Sequence, residues 1–275
     1  MDNLNIKVLK VKITAASTDF IYNYSGKIVK TILLTEVPEL QPAFRPVKGF
    51  FKLIRVSPLI RGETAVTPVF ERKRTSIGVS YELKPIQLSG SYMFEVGSTS
   101  DIISKTLNSL RQVQGVKTRL KFENAIIEYV IEDIEVEDFN ISLDNHVRIA
   151  TVSPALLPTP YSATQHVRRF TISPVVVFWI PYLISQGIYS VTNDAVNKAM
   201  RLLETCLVEH YSSQIRVIHI PYDGRREPTL HFKAKYIVLS SDHEEKKALA
   251  RILKAARVLG IGASRTNGFG TIQFP

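Results

Sequence analysis

Along NIKVLKVKITA, apolar Ile6, Val8 and Val11 or Ile13 alternate with lysines, the period of a strand exposed on one side. The spacing then becomes helical. In GKIVKTILLTEV, Ile28, Ile32 and Leu33 share one face and Lys27 and Lys30 another, with Ser25 where an N-cap belongs. GFFKLIRVSPLI and SGSYMFEVGS read as strands, separated by weaker β segments, TAVTPVF and SIGVSYEL. SDIISKTLNSLRQV predicts a second helix, capped near Ser100 or Asp101 and closed by Gly115, and VKTRLKFE with AIIEYVIEDIEVED predicts a strand pair.

The second half repeats this order. HVRIATVS is a strand, SPVVVFWIPYLI a short helix entered through Ser173 and Pro174, and AVNKAMRLLETCLVEHY a longer one. Pro181 leaves a buried strand open as the rival for the first of these. IRVIHI and PTLHFKAKYIVL follow, joined by the turn PYDGRRE, then the helix DHEEKKALARILKAARV and a last strand, GTIQF. Each half thus reads β-α-β-β-α-β. The expected fold is α+β: two tandem ferredoxin-like units with antiparallel sheets, 1–145 and 146–275. An uncovered sheet face, or the cleft between the sheets, is then the natural place for an extended ligand.

Composition narrows the partner. A hydrophobic fraction of 45% over 275 residues supports proper cores, and no apolar run is long enough to span a bilayer, which points to a soluble, cytosolic protein with no membrane partner. Cys206 is the single cysteine, so no internal disulfide forms; no His/Cys spacing resembles a zinc site, and neither metal nor cofactor is expected. The net charge of +10 favours a polyanion. Its distribution is informative: residues 1–127 hold 19 Lys and Arg against 10 Asp and Glu, 128–144 hold seven acidic residues and no basic one, and 145–275 hold 16 against eight. Two basic bodies flank an acidic spacer, whose partial alternation reads as a solvated strand face rather than a carboxylate metal cluster.

The segment GIGASRTNGFG, with Gly260, Gly262, Gly268 and Gly270, connects the last helix to the last strand. A helix carboxyl end offers an anion nothing, so any phosphate contact here has to come from loop amides and Arg265. The alternative is a tight αβ connection that needs φ > 0, with Gly260 as an αL residue closing the helix.

This segment resembles the C-terminal glycine-rich loop of the repeat-associated RNA-binding superfamily of CRISPR systems, particularly the endoribonuclease that cuts the CRISPR precursor transcript within its repeats. HVRIATVSPALLP is similar to that family's entry into its second unit, and GFFKLIRVS to its second strand, where a lysine stands at the position of Lys52. The resemblance implies RNA as partner and metal-independent attack of a 2′-OH on the adjacent phosphate, leaving 2′,3′-cyclic phosphate and 5′-OH ends. It leaves open cleavage-free RNA holding in a surveillance complex, and whether copies associate. Many members are thought to use Tyr, His and Lys in the first unit, but the six histidines here all follow residue 145. The remaining catalytic candidates are Lys52, Lys30, Lys27, Tyr24 and Tyr22, whose clustered ammonium groups would lower one another's pKa and offset phosphorane charge. RNA-binding candidates are Arg225 and Arg226 at a hairpin tip, Arg265 and the four loop glycines, and Arg168 and Arg169, with His166 beside them. His219 and His231 lie on neighbouring predicted strands but lack a third ligand.

Overall fold

The computed structural model describes residues 5–45, 51–76, 78–160 and 170–275. Arg168, Arg169 and His166 fall outside the described residues. The first half runs β1 (Ile6–Ser17), α1 (Gly26–Glu36), α2 (Gln41–Phe44), β2 (Ile54–Val56), β3 (Ile60–Arg61), β4 (Thr64–Ala65), β5 (Val69–Thr75), β6 (Gly78–Lys84), β7 (Ser89–Thr99), α3 (Ser100–Gln112), β8 (Lys117–Phe122) and β9 (Ala125–Glu137). The second runs β10 (His146–Thr151), α4 (Pro174–Ser185), α5 (Asn193–Cys206), β11 (Leu207–Tyr222), β12 (Arg225–Val238), α6 (His243–Leu259) and β13 (Ile272–Gln273).

The two sheets share one plan. The first contains the order β9-β1-β7-β2 and the second β13-β10-β12-β11, so in each the opening strand sits between the third and the last, and all pairs are antiparallel. This is the ferredoxin-like order twice over. On the first sheet Leu9, Val11 and Ile13 of β1 pack under Ile28, Val29 and Ile32 of α1 and Ile103 and Leu110 of α3. On the second, Phe232, Ala234 and Tyr236 pack under α4, α5 and α6.

Several local expectations are corrected. The helix expected to run through LVEHY stops at Cys206, because Leu207 and Val208 pair with Val238 and Ile237 and start β11. Pro181 does lie inside α4, a helix all but buried, whose burial offsets the roughly 3 kcal/mol a mid-helix proline costs. Ser25 is buried and its hydroxyl makes no capping bond. Nor is β1 open on one side at its start: Ile6 and Val8 join the core of the second unit. The β5–β6 hairpin leaves the first sheet altogether and extends the second beyond β11, through the pairing of Phe70 with His219.

The two sheets are joined by a buried ionic network. Arg55 on β2 is wholly buried, and donates through Nη2 to Glu95 Oε2 (2.8 Å), through Nε to Val258 O (2.8 Å) and through Nη1 to Thr271 Oγ1 (2.9 Å). Arg257, in the last turn of α6, grips the same Glu95 with both terminal nitrogens at 2.8 Å. One carboxylate therefore fixes a strand of the first unit and a helix end of the second. Gly97 next to it has no room for a side chain, since a Cβ there would come within 1.6 Å of Val258 O.

Candidate functional site

The stretch YNYSGK turns from β1 into α1, and its residues divide sharply. Tyr24 is fully buried, stacks on Phe269 at 4.4 Å and donates its hydroxyl to Gly268 O at 2.9 Å. Burial raises its phenol pKa far above the ordinary value, with a smaller push from Tyr222. As a catalytic candidate it is corrected: the ring is the floor on which the glycine loop rests, and substrate cannot reach it. Tyr22 is half-exposed and its N–H donates to Glu123 Oε2 at 3.2 Å, tying it to the β8–β9 turn.

The lysines do converge with the glycine loop and the β11–β12 hairpin. Lys27 and Lys30 stand three residues apart on α1, hence on one face. Lys27 Nζ bonds Asp223 Oδ1 at 2.6 Å at the hairpin tip and lies 4.9 Å from the Tyr222 ring centroid. Lys30 Nζ donates to Asn267 Oδ1 at 3.3 Å and sits 5.5 Å from the Phe44 ring centroid. Asn267 Nδ2 in turn donates to Tyr222 Oη at 2.6 Å. Lys52, arriving ahead of β2, donates to Phe44 O at 2.7 Å, and its own carbonyl accepts from Arg265 Nη2 at 3.2 Å. Both Lys30 and Lys52 have lowered pKa values. Burial is the main cause in each, followed by the charge of Lys27 on Lys30 and those of Lys30 and Arg265 on Lys52. Mutual repulsion, the expected cause, is thus the lesser one.

The glycine loop has a different task from the one expected of a phosphate cradle. Arg265 is buried, donates to Leu259 O at 2.8 Å and to Lys52 O, and has a pKa pushed down to about 10, by burial first and then by Arg55; it ties the chain internally and offers no free fork to phosphate. Gly260 closes α6 with φ 77° and ψ 173°, a region other than the expected αL. Gly262 and Gly270 lie against the carbonyls of Leu156 and Ile261, where a Cβ would come within 2.2 Å and 1.9 Å. Gly268 abuts Gly26: a Cβ on Gly26 would lie 2.0 Å from Asn267 O, and one on Gly268 would lie 2.8 Å from the Gly26 Cα. The glycines let the loop press against the start of α1, which sets Asn267 beside Lys30. Gly268→Ala, at φ 100°, should therefore separate loop from helix and lower the melting midpoint by several degrees, since strained left-handed backbone costs about 1–3 kcal/mol before the clash is counted. An unchanged midpoint in a thermal melt would contradict this packing.

Arg225 is exposed at the hairpin tip, opposite Tyr222. The Arg226 guanidinium lies over the Tyr81 ring, 3.7 Å from its centroid. Beside Lys52 a cleft of about 370 Å³ is walled by Phe51, Trp179 and the loop from Gly262 to Asn267. Sequence reasoning missed Asp223 and Asn267. Asp223 and Gly224 both adopt positive φ, the Asp-Gly hairpin signal, but nothing local in the sequence says that this turn meets α1. His231 bonds Thr151 at 2.9 Å and His219 lies 5.2 Å from Tyr81, so these two histidines serve different neighbourhoods. Among the described residues no three His, Cys, Asp or Glu side chains come together as a metal site would need, and no helix is long and apolar enough to cross a membrane.

No family model matches this chain and no curated protein is similar to it in sequence. Solved structures are similar in fold. A Cas6 product complex superposes with a TM-score of 0.66 at 12% identity, covering 99% of this chain and 100% of the other. Thermus thermophilus Cas6 gives 0.60 at 11%, over the whole of both chains. A Cas6-related protein of Pyrococcus furiosus gives 0.58 at 12%, over 98% of each. The tandem ferredoxin-like architecture is the one these proteins share.

Proposed function

We propose that this chain, folded as the Cas6 proteins are, binds CRISPR repeat RNA across the edge where its two units meet and cleaves it there without a metal ion. The observation that carries the reading is the meeting of Lys27, Lys30 and Lys52 with the β11–β12 hairpin and the glycine loop at one place. Their three ammonium groups supply the concentrated positive charge that a phosphodiester backbone attracts.

In this reading the 2′ oxygen forms a bond to phosphorus as the P–O5′ bond breaks, and the 2′ proton passes to solvent. Lys30 and Lys52 hold the non-bridging oxygens and offset the charge of the phosphorane. The lowered pKa of Lys52 makes it a better acid toward the departing 5′ oxygen than a free lysine. Asp223 holds Lys27 until the RNA phosphate takes its place. A second reading, RNA holding without cleavage, is favoured by one feature: among the described residues none of the contacts of Lys27, Lys30 or Lys52 is an imidazole.

Radiolabelled repeat RNA incubated with the protein in EDTA distinguishes the two. Cleavage at one position is expected, with cyclic phosphate on the upstream product, and a single deoxyribose at the scissile nucleotide should abolish it. A strict magnesium requirement would refute the mechanism, and binding without any single-turnover cleavage would establish the second reading.

A further inference from the structure

The β5–β6 hairpin, carried from the first half to the edge of the second sheet, sorts its residues by face. Its register pairs Phe70 with Leu83, Arg72 with Tyr81 and Arg74 with Val79 on one side, and Glu71 with Glu82 and Lys73 with Ser80 on the other. The two carboxylates are taken up on their own side, Glu82 by Lys73 and Glu71 by Lys84. The opposite side of the hairpin carries Phe70, Arg72, Arg74 and Tyr81 and neither of its two carboxylates.

That side continues into β11, because Phe70 pairs with His219. The result is an open groove of about 530 Å³ with Phe70 and Val217 as floor and Arg72, Tyr81 and His219 as walls. Arg226 covers one face of the Tyr81 ring, and His219 is tilted against Tyr81 at 5.2 Å. Burial, then the charge of Arg226, lowers the His219 pKa, which favours the uncharged ring. The groove and the lysine cluster use opposite faces of the β11–β12 hairpin near its tip: Arg226 and His219 face the groove, whereas the neighbouring Arg225 pairs with Tyr222, which contacts Lys27.

We propose that this groove holds unpaired nucleotides of the RNA on one flank of the cleaved link, with bases against Tyr81, His219 and Val217 and phosphates at Arg72 and Arg74. The apolar floor decides for single strands. A duplex hides its base faces and offers only backbone, whereas an unpaired strand offers rings to stack and charges to pair. The arginine rim, with the hairpin's acids turned away, selects a polyanion over a protein. The proposal rests on the RNA reading above and extends it to a second contact surface.

The test compares two RNAs by fluorescence anisotropy: the repeat hairpin alone, and the hairpin with unpaired nucleotides on both sides. Tyr81→Ala and Arg72→Ala should each weaken binding of the flanked RNA about tenfold, as loss of a stacked base or a phosphate contact does, and change binding of the bare hairpin less than about twofold. Tyr81→Phe should bind as the parent does, and cleavage at saturating protein should be unchanged throughout. 4-Thiouridine placed in the flanks should crosslink to the peptide containing Tyr81. Equal losses on both RNAs would show that the groove reads duplex or merely supports the fold, and no loss on either would show that it is idle; each overturns the proposal while leaving the cleavage site intact. A parent protein that binds neither RNA overturns the RNA reading itself.

Discussion

Lys52→Ala is expected to slow cleavage of repeat RNA by about two orders of magnitude while weakening RNA binding only about threefold, the signature of a group whose contribution grows in the transition state. Binding draws on many phosphates, so one charge among them matters little to affinity. The phosphorane gathers an extra negative charge at a single point, and there a half-buried ammonium counts for more than it does in water. Single-turnover rates against saturation binding separate the two quantities. A proportional fall in both would reduce Lys52 to a phosphate contact. The pH profile is a second check. Because Lys30 and Lys52 titrate below the usual 10.5, activity that needs their protons should fade on the alkaline side before a free lysine would lose its charge. Stability moves the other way. The unfolded chain holds those protons more tightly, so the free protein gains stability as pH rises from the lowered folded values toward 10.5.

Glu95→Ala should be the most damaging single change to the fold, at about 3–5 kcal/mol. It leaves Arg55, with no exposed surface, without a counter-charge where β2, β7 and α6 meet, and leaves Arg257, at 6% exposure, only its longer pairing with Glu137 at 3.8 Å. Glu95→Gln keeps the shape but not the charge and should be only partly better. Burial by itself would raise the Glu95 pKa; Arg55 and Arg257 outweigh it and bring it down to about 2. A carboxylate lowered in this way stabilises the fold fully above its unfolded value near 4.5, and the contribution drains away as pH falls from there toward 2. Denaturant melts of parent and Glu95→Gln from pH 7 down to pH 3 should therefore converge. Because Arg55 holds Val258 and Thr271 while Arg265 holds the Lys52 carbonyl, loss of the network should also blur the lysine cluster. A Glu95→Ala protein as stable as the parent would mean that the joint is held by its apolar contacts alone.

Legibility in the sequence followed the range of the forces involved. The strands and helices were readable because period 2 and period 3.6 are local properties of a chain facing one core. The end of α5 is hidden for the same reason: LVEHY satisfies a helix locally, and only pairing with β12 makes it a strand. Lys27, Lys30 and Lys52 were legible as charges but not as neighbours of Asp223 and Asn267, which lie about two hundred residues further along the chain. Tyrosine and arginine next to glycines look available for surface chemistry in a linear sequence; in the fold Tyr24 and Arg265 are buried anchors of the loop.

The sequence alone determined the order of elements: alternation and helical spacing, repeated in order, read as two β-α-β-β-α-β units, and the basic charge on both sides of an acidic spacer is what makes a polyanion the expected partner. Tertiary structure alone decided where the chemistry sits. It pressed the glycine loop against the start of α1, moved a hairpin from one half onto the sheet of the other, and set two buried arginines on one glutamate. Local pattern fixes which face of an element is apolar, but which faces meet depends on shape and charge summed over the whole chain.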